Sequence, residues 1–240
     1  MQSLDFTRFR TLLERSKMDD KPHQSEGVRW CLSRETDKDH TTRGGIMADE
    51  MGLGKTIQML GVIVCNCKKR TLIILPKALI NQWINSIREI FNHEPLLYHG
   101  QYVNEITEEM LSTEPIVVST YGMLDSEKKN NLLHKIKWNR IIFDEAHHLR
   151  NKKTKKLNGA QKLKKNNNKC IMWFVTGTPI QNRLSDLHSL YKVLGIPKDE
   201  YKNPQNHNNL IKKYLIKRMK KEIKLNIPET NEQTIFIDWL

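Results

Sequence analysis

The stretch "ADEMGLGKT", residues 48–56, nearly matches the phosphate-binding loop pattern G-x-x-x-x-G-K-[ST]. Gly54, Lys55 and Thr56 supply the second half of the pattern, but Asp49 stands where the first glycine is expected. In such a loop the lysine supplies charge to the outer phosphates, the hydroxyl binds Mg²⁺, and backbone N–H groups face the phosphates. The stretch therefore indicates either a working nucleotide site with a variant entry turn or an ordinary glycine-rich turn.

Short apolar runs alternate with helical patterns along the rest of the chain. The strand-like runs are "GGIM" (44–47), "TLIILP" (71–76), "PIVVSTY" (115–121), "RIIFDEA" (140–146) and "IMWFVTGTP" (171–179). An apolar stripe at helical spacing consists of Ile80, Trp83, Ile84, Ile87 and Phe91. Apolar strands that alternate with amphipathic helices predict an α/β fold with a mostly parallel central sheet covered by helices on both faces. Ligands of such sheets bind at the carboxyl ends of the strands.

The run "RIIFDEA" ends in two carboxylates, Asp144 and Glu145. At the end of a strand beside a phosphate loop, Asp144 can hold Mg²⁺, and Glu145 can orient and deprotonate an attacking water. The alternative is an acidic pair that caps a helix. With the loop upstream, we favour catalysis, with Lys55 as the third catalytic residue.

Composition bounds the class of protein. The chain has 240 residues with 38% hydrophobic content, and no apolar run approaches the length of a membrane span. The first residues lack an apolar signal core, and the four cysteines lack the paired spacing of a zinc site. We therefore expect an intracellular protein that contacts no membrane.

The net charge of +13 is unevenly distributed. Residues 150–169 contain nine Lys or Arg and no acid, so they attract polyanions such as a phosphate backbone. The same run also fits a solvated lysine-rich surface or a nuclear-import patch.

The motif D-E-A-H at residues 144–147 resembles the second motif of superfamily 2 helicase-like ATPases. "DEMGLGKT" resembles the loop of their SNF2 branch, in which Asp at the first-glycine position is usual. The resemblance implies a RecA-like three-layer lobe that binds ATP and Mg²⁺, with Thr56 and Asp144 as metal ligands. "KPHQSEGVRW" resembles the family's entry motif, which places the adenine-reading glutamine at Gln24. The implied nucleotide-binding residues are Gln24, Asp49, Glu50, Met51, Gly52, Leu53, Gly54, Lys55 and Thr56.

Three further strand-end segments resemble family motifs in order: "LIILPKALINQW", "VVSTYGML" and "FVTGTPIQNRLSDLHSL". In the family these segments contact one strand of duplex DNA and couple it to the ATP site. The implied DNA contacts are Lys77, Ser119, Thr120 and Tyr121, and the basic run adds Lys152, Lys153, Lys155 and Lys156. The implied coupling residues are Thr176, Thr178, Gln181 and Asn182. Helix capping and strand-end packing are the alternatives for the residues of the three strand-end segments, and a solvated loop or a nuclear-import patch is the alternative for the four lysines.

The resemblance divides the chain into an N-terminal extension (1–20), the first RecA-like lobe (21–225) and the start of a connection to a second lobe (226–240). The segment between "LHSLYKVLGIP" (187–197) and "LIKRMKK" (215–221) is shorter than the one that many family members carry, which suggests a compact or viral member of the family. The family implies a nuclear, DNA-stimulated ATPase that translocates on duplex DNA, acts on nucleosomes or DNA-bound proteins, and needs the second lobe in cis for hydrolysis.

Two other functions are open at this point. A strand-separating DEAH-type helicase is disfavoured because "TGTPIQN" replaces the S-A-T motif of helicases. A DNA-binding regulator with a vestigial ATP site is disfavoured because Lys55, Asp144 and Glu145 are all intact.

Overall fold

The structure is a computed structural model, and it describes residues 6–37, 42–125, 131–151, 154–177 and 184–223. The strands are β1 (Gly44–Met47), β2 (Thr71–Leu75), β3 (Leu96–Tyr98), β4 (Ile116–Thr120), β5 (Arg140–Asp144), β6 (Ile171–Val175) and β7 (Leu215–Ile216). The helices are α1 (Thr7–Arg15), α2 (Pro22–Thr36), α3 (Lys55–Cys65), α4 (Ile80–Phe91), α5 (Glu108–Thr113), α6 (Lys155–Asn166), α7 (Leu184–Leu194), α8 (Lys198–Lys202) and α9 (His207–Tyr214).

The strands form one sheet in the order β3-β4-β2-β5-β6-β1-β7, and every described pairing is parallel. The predicted parallel sheet is therefore confirmed. Because all of the strands run the same way, the residues that follow them meet at a single edge of the sheet.

Successive strand residues enter opposite cores. Ile46, Leu72 and Ile141 belong to a cluster that also contains apolar residues of α6, α7 and α9. Their neighbours Met47, Ile73 and Ile142 belong to a second cluster, which contains apolar residues of α1, α2, α3 and α4. This alternation follows from the two-residue period of a strand and produces the predicted three layers.

The first helix is part of this packing. Phe9 of α1 is fully buried, and a Cβ added at Gly61 of α3 would overlap its ring. The segment predicted as an extension therefore covers the helix that follows the phosphate loop. Residues 1–5 and 226–240 lie outside the described residues, so the predicted connection to a second lobe stays a prediction. Among the described helices, none has the length and apolar character needed to cross a membrane.

A buried ion pair joins the layers at the edge where the strands begin. Glu35 of α2 and Arg140 of β5 have fully buried side chains, and the two guanidinium–carboxylate distances are 2.7 and 2.5 Å. The Glu35 carboxylate also accepts hydrogen bonds from the Trp173 indole at 2.8 Å and the Asn66 amide at 2.6 Å. One carboxylate thereby fixes α2, the turn after α3, and two central strands.

Replacing Arg140 by Met should lower the free energy of unfolding by about 3–5 kcal/mol, because Glu35 would remain as a buried charge without its cation. Chemical denaturation measures this loss. The control is Lys69→Met, an exposed cation beside β2, for which the change should stay within about 0.5 kcal/mol. Equal stability of the two variants would contradict the importance of the pair.

Candidate active site

The loop between β1 and α3 lies at the carboxyl edge of the sheet and has the backbone that its glycines permit. Gly52 and Gly54 have φ values of 90° and 77°, in the left-handed region that side chains disfavour. A Cβ at Gly54 would also overlap the amide of Gln24. Position 54 therefore requires glycine both for its backbone conformation and for space.

Lys55 begins α3 and turns back across the loop. Its Nζ donates hydrogen bonds to the carbonyls of Asp49 at 2.9 Å and Glu50 at 3.3 Å. Burial lowers the pKa of Lys55, while the nearby Glu145 and Asp144 carboxylates act in the opposite direction. The ammonium is thus held inside the loop, between loop carbonyls and the acidic pair.

Asp144 ends β5 with both carboxylate oxygens engaged. Oδ2 accepts a 2.7 Å hydrogen bond from the Trp83 indole, and Oδ1 accepts a 2.9 Å bond from the Glu145 backbone N–H. Burial raises the pKa of Asp144, and these two hydrogen bonds partly offset the rise. Sequence reasoning assigned Trp83 only to the apolar stripe of α4, and its contact with the acidic motif was missed.

Glu145 has a left-handed backbone, with φ at 50°, which is uncommon for a residue with a side chain. Its Oε2 lies 3.0 Å from the Nδ1 of His147. Strained backbone of this kind clusters at functional sites. This left-handed conformation turns the chain sharply at the strand end, between Asp144 and the short helix that begins at Ala146.

A cavity of about 470 Å³ brings these groups together. Its polar lining residues include Lys55, Thr56, Asp144 and Glu145, together with Gln82, Ser86 and Glu89. The remaining wall is largely apolar and includes Met18, Ile57, Leu60, Leu79 and Ile90. The hydroxyl of Thr56 and the carboxylate of Asp144 are hard oxygen donors of the kind that Mg²⁺ prefers. The donor set and the glycine backbone therefore fit a Mg²⁺–nucleotide.

Asp49 does not present its side chain to this cavity. It is fully buried, and its carboxylate forms an ion pair with the Arg218 guanidinium. The Gln58 amide donates a further 3.1 Å hydrogen bond to Asp49. Side-chain contact between Asp49 and a nucleotide is therefore not supported. Sequence reasoning did not identify Arg218, because nothing local connects it to a residue 169 positions away.

Gln24 lies against the loop. Its amide donates to the Leu53 carbonyl at 3.3 Å, and the His23 ring nitrogen lies 3.2 Å from the same oxygen. Gln24 is buried and is not among the cavity-lining residues, so adenine reading by Gln24 stays a prediction. Met51, another predicted nucleotide-binding residue, lies at the loop tip and lines the cavity, and it is 72% exposed.

The predicted DNA contacts separate into exposed and buried residues. Lys77 is exposed just beyond β2. Ser119 is fully buried and donates to the Tyr98 carbonyl at 2.7 Å, while Thr120 is buried with its hydroxyl 3.0 Å from a His99 ring nitrogen. The side chains of Ser119 and Thr120 have almost no exposed surface to offer a duplex, so DNA contact at these two residues stays a prediction without support from their side chains.

Tyr121 is also buried, and its hydroxyl donates to the Asp144 carbonyl at 2.7 Å. Its ring also stacks with Phe143 and contacts His148. The Tyr121 side chain therefore supports Asp144 from behind, and contact between Tyr121 and DNA stays a prediction. The sequence placed it correctly at a strand end but did not reveal which way the side chain turns.

Of the predicted coupling residues, Thr176 is fully buried, and its backbone N–H donates to the Met47 carbonyl at 3.0 Å. A Cβ at the adjacent Gly177 would lie 3.6 Å from the Lys55 Nζ, so this strand end reaches the phosphate loop. Thr178, Gln181 and Asn182, together with the basic-run residues Lys152 and Lys153, lie outside the described residues.

Trp83→Phe should weaken Mg²⁺-dependent nucleotide binding by a factor of about 10 to 150, because a hydrogen bond to a charged group contributes about 1.5–3 kcal/mol. The substitution also removes a contact that lowers the pKa of Asp144, so that pKa rises further. A proton then competes with Mg²⁺ more effectively, and the pH at which binding appears moves upward. Titration of a fluorescent ADP analogue against pH, with and without Mg²⁺, measures both effects.

The matched control is Trp138→Phe, which removes an indole hydrogen bond to the Leu133 carbonyl. It should leave the pH dependence unchanged. The same shift in both variants would show that Trp83 acts only through general stability.

The sequence and fold both match known proteins. The family model described as "SNF2-related domain" matches residues 23–239. The chain is 33% identical over 202 residues to the "Uncharacterized ATP-dependent helicase C23E6.02" of Schizosaccharomyces pombe, covering 72% of this chain and 19% of the relative. It is 31% identical over 235 residues to the "Probable global transactivator" of Orgyia pseudotsugata multicapsid polyhedrosis virus, covering 90% of this chain and 45% of that protein.

Among solved structures, the Sulfolobus solfataricus SWI2/SNF2 ATPase core in complex with dsDNA matches with a TM-score of 0.70 and 25% identity. The match covers 85% of this chain and 45% of that one. The chain thus spans less than half the length of these relatives and adopts the fold of part of such a core. With a family model that matches nearly all of its residues, this chain belongs to the SNF2 family.

Proposed function

We propose that the chain is the first ATP-binding lobe of a DNA-stimulated ATPase that translocates on duplex DNA. The observation that carries the proposal is the cavity that unites Lys55, Thr56, Asp144 and Glu145. These residues come from the beginning of α3 and the end of β5, and together they provide a cation, two hard oxygen ligands and a base. Phosphoryl transfer from ATP to water needs this combination.

Each residue has a separate role in the proposed reaction. The loop N–H groups and Lys55 bind the outer phosphates, so the Lys55 ammonium leaves the carbonyls of Asp49 and Glu50 when nucleotide enters. Thr56 and Asp144 hold Mg²⁺, which neutralises phosphate charge when bound. Glu145 orients the attacking water and accepts its proton. Trp83 keeps the Asp144 carboxylate directed toward the metal position.

Hydrolysis in this proposal needs a second RecA-like lobe that supplies an arginine to the transferred phosphate. Such an arginine contributes about 10³–10⁵ in turnover in related phosphate-cleaving enzymes. We therefore expect the 240-residue chain alone to bind nucleotide and to hydrolyse ATP near the background rate.

Duplex DNA is the proposed polymer, and the proposed setting is the nucleus, with nucleosomes or other DNA-bound proteins as the objects displaced. Lys77 is exposed at the carboxyl edge of the sheet, and α6 begins with Lys155 and Lys156 on the same side. Lys155 already contacts Asp125 at 3.2 Å, so phosphate would have to compete for it. The net charge and the DNA-bound structural relative support this proposal.

The two rival functions make different predictions. A strand-separating helicase would release a labelled strand from a duplex in an ATP-dependent way, whereas a translocase would displace a bound protein without separating strands. A regulator with a vestigial site would bind DNA but neither bind nor hydrolyse ATP. The intact set of four cavity residues favours an active ATP site over a vestigial one.

Lys55→Ala should abolish binding of ATP or ADP, because it removes the cation that faces the phosphates. Glu145→Gln should preserve binding but stop DNA-stimulated turnover in a protein that includes the second lobe, since an amide cannot accept the proton of water. Calorimetry and phosphate release measure the two effects. Lys77→Ala is the control for lost charge and should leave nucleotide affinity unchanged; if Lys55→Ala also left it unchanged, the loop would not be the binding site.

DNA affinity should fall with salt, with a slope of log K against log salt of about −0.9 for each phosphate contacted. If the basic run contacts four phosphates, removing Lys152, Lys153, Lys155 and Lys156 should make the slope shallower by about 3.6. We expect a smaller change, because Lys155 is paired with Asp125.

The charge-matched control replaces Arg43, Lys69, Lys135 and Lys137, four exposed cations that precede β1, β2 and β5 and lie outside the basic run. These residues lie at the opposite edge of the sheet and should affect the slope less. An equal effect of both quadruple variants on the salt slope would indicate non-specific attraction. An unchanged slope in the basic-run variant would show that the basic run does not contact DNA.

A further inference from the structure

The chain that follows the last strand of the sheet runs directly alongside the phosphate loop. β7 pairs in parallel with β1, and the contact continues beyond both strands: Ala48 N–H donates to the Ile216 carbonyl at 2.7 Å, and Glu50 N–H donates to the Arg218 carbonyl at 2.9 Å. The Lys220 N–H then donates to the Glu50 carboxylate at 2.7 Å. We call residues 215–220 the exit segment, and its backbone holds the entry half of the loop.

Arg218 adds side-chain contacts to this backbone pairing. Its Nε and its backbone N–H donate to Asp49 Oδ1 at 3.0 and 3.1 Å, and its Nη2 donates to Asp49 Oδ2. The same guanidinium donates to the Gln58 side chain at 2.8 Å and to the His23 carbonyl. A single residue thereby joins α2, the loop and α3.

The buried ion pair between Arg218 and Asp49 makes the conformation of the loop depend on Arg218. The Asp49 side chain is completely buried, and that of Arg218 is 14% exposed. Without its guanidinium, Asp49 would be a buried carboxylate without this counter-charge, which the loop could relieve only by changing conformation or by taking up a proton. Lys55 would then move as well, because it donates to the Asp49 carbonyl.

Direct contact between Arg218 and nucleotide does not account for these observations. Arg218 is not among the residues that line the cavity, and its guanidinium is directed into the loop, toward Asp49, Gln58 and His23. Its effect on a nucleotide would have to pass through the position of the loop.

We propose that Arg218 is a positioning residue for the nucleotide site, acting through Asp49, and that the exit segment therefore controls how tightly the loop binds phosphate. This inference rests on the nucleotide-binding function proposed above. It also assigns a role to the residue that departs from the general loop pattern: Asp49 connects the loop to the exit segment, which a glycine could not do.

The test measures binding of a fluorescent ADP analogue with Mg²⁺ to the 240-residue chain, together with the melting temperature of each variant. Arg218→Ala should weaken affinity at least tenfold. Arg218→Lys should fold, keep the charge and lose the paired geometry, giving a loss of about threefold or more with little change in melting temperature. Lys217→Ala, an exposed cation on the same segment, is the matched control and should bind as the wild type does.

The decisive variant is Asp49→Gly with Arg218→Ala, which introduces the general loop pattern and leaves no carboxylate in need of a cation. Its affinity should lie within about threefold of that of Asp49→Gly alone, because the two residues act as a unit. If Arg218→Ala weakens affinity in the Asp49→Gly background by as much as it does in the wild type, Arg218 does not act through Asp49 and the inference is wrong.

Lys55→Ala separates this inference from the function on which it rests. Wild-type affinity in both Arg218→Ala and Arg218→Lys, with binding abolished by Lys55→Ala, would overturn the positioning role and leave the nucleotide site standing. If Arg218→Ala does not fold, Arg218→Lys alone decides, and wild-type affinity there overturns the inference. If the wild-type chain binds no nucleotide, both proposals fall together.

Discussion

Charge balance at one edge of the sheet is the constraint on which the site depends. A fully parallel sheet brings the ends of β1 and β5, which lie on either side of β6, to the same edge, and with them Asp49, Lys55, Asp144 and Glu145. These groups are buried to different extents, and burial penalises every charge that lacks a partner. Asp49 is neutralised by Arg218, Lys55 is held between carbonyls and carboxylates, and Asp144 receives an indole and a backbone N–H.

The same constraint explains why the charged residues of the site receive hydrogen bonds from aromatic and amide side chains such as Trp83, Tyr121 and Gln58. Trp83 and Tyr121 are buried in the two apolar clusters and still direct a donor to Asp144, one to its carboxylate and the other to its carbonyl. Each satisfies a polar group without adding another charge to the interior. The acidic motif is therefore oriented from both faces of the sheet at once.

The sequence predicted the layers and the chemical groups well, because they depend on local patterns. Continuous apolar runs identified β1, β2, β4, β5 and β6, whereas β3 and β7 were missed because they have only three and two residues and lie at the sheet edges. The motif spacing identified Lys55, Asp144 and Glu145 as a set that the cavity unites.

Side-chain direction at strand ends could not be predicted from the same patterns. Ser119, Thr120 and Tyr121 follow one another at the end of β4, and nothing local specifies that all three turn inward. The Asp49–Arg218 pair was equally inaccessible, since it joins residues separated by 169 positions and depends on β7 pairing with β1. Local spacing identifies the groups, and long-range pairing determines which way they face.

The contact between Phe9 and Gly61 bears on where this unit should be cut for expression. The family model starts at residue 23, yet the ring of Phe9 occupies the space left by the missing side chain at Gly61 and packs beside Val28. A fragment trimmed to the family boundary would open an apolar slot on α3, directly behind the loop. The unit that is recognisable across the family and the unit that folds here are therefore different lengths, and the longer one is the appropriate fragment for biochemistry.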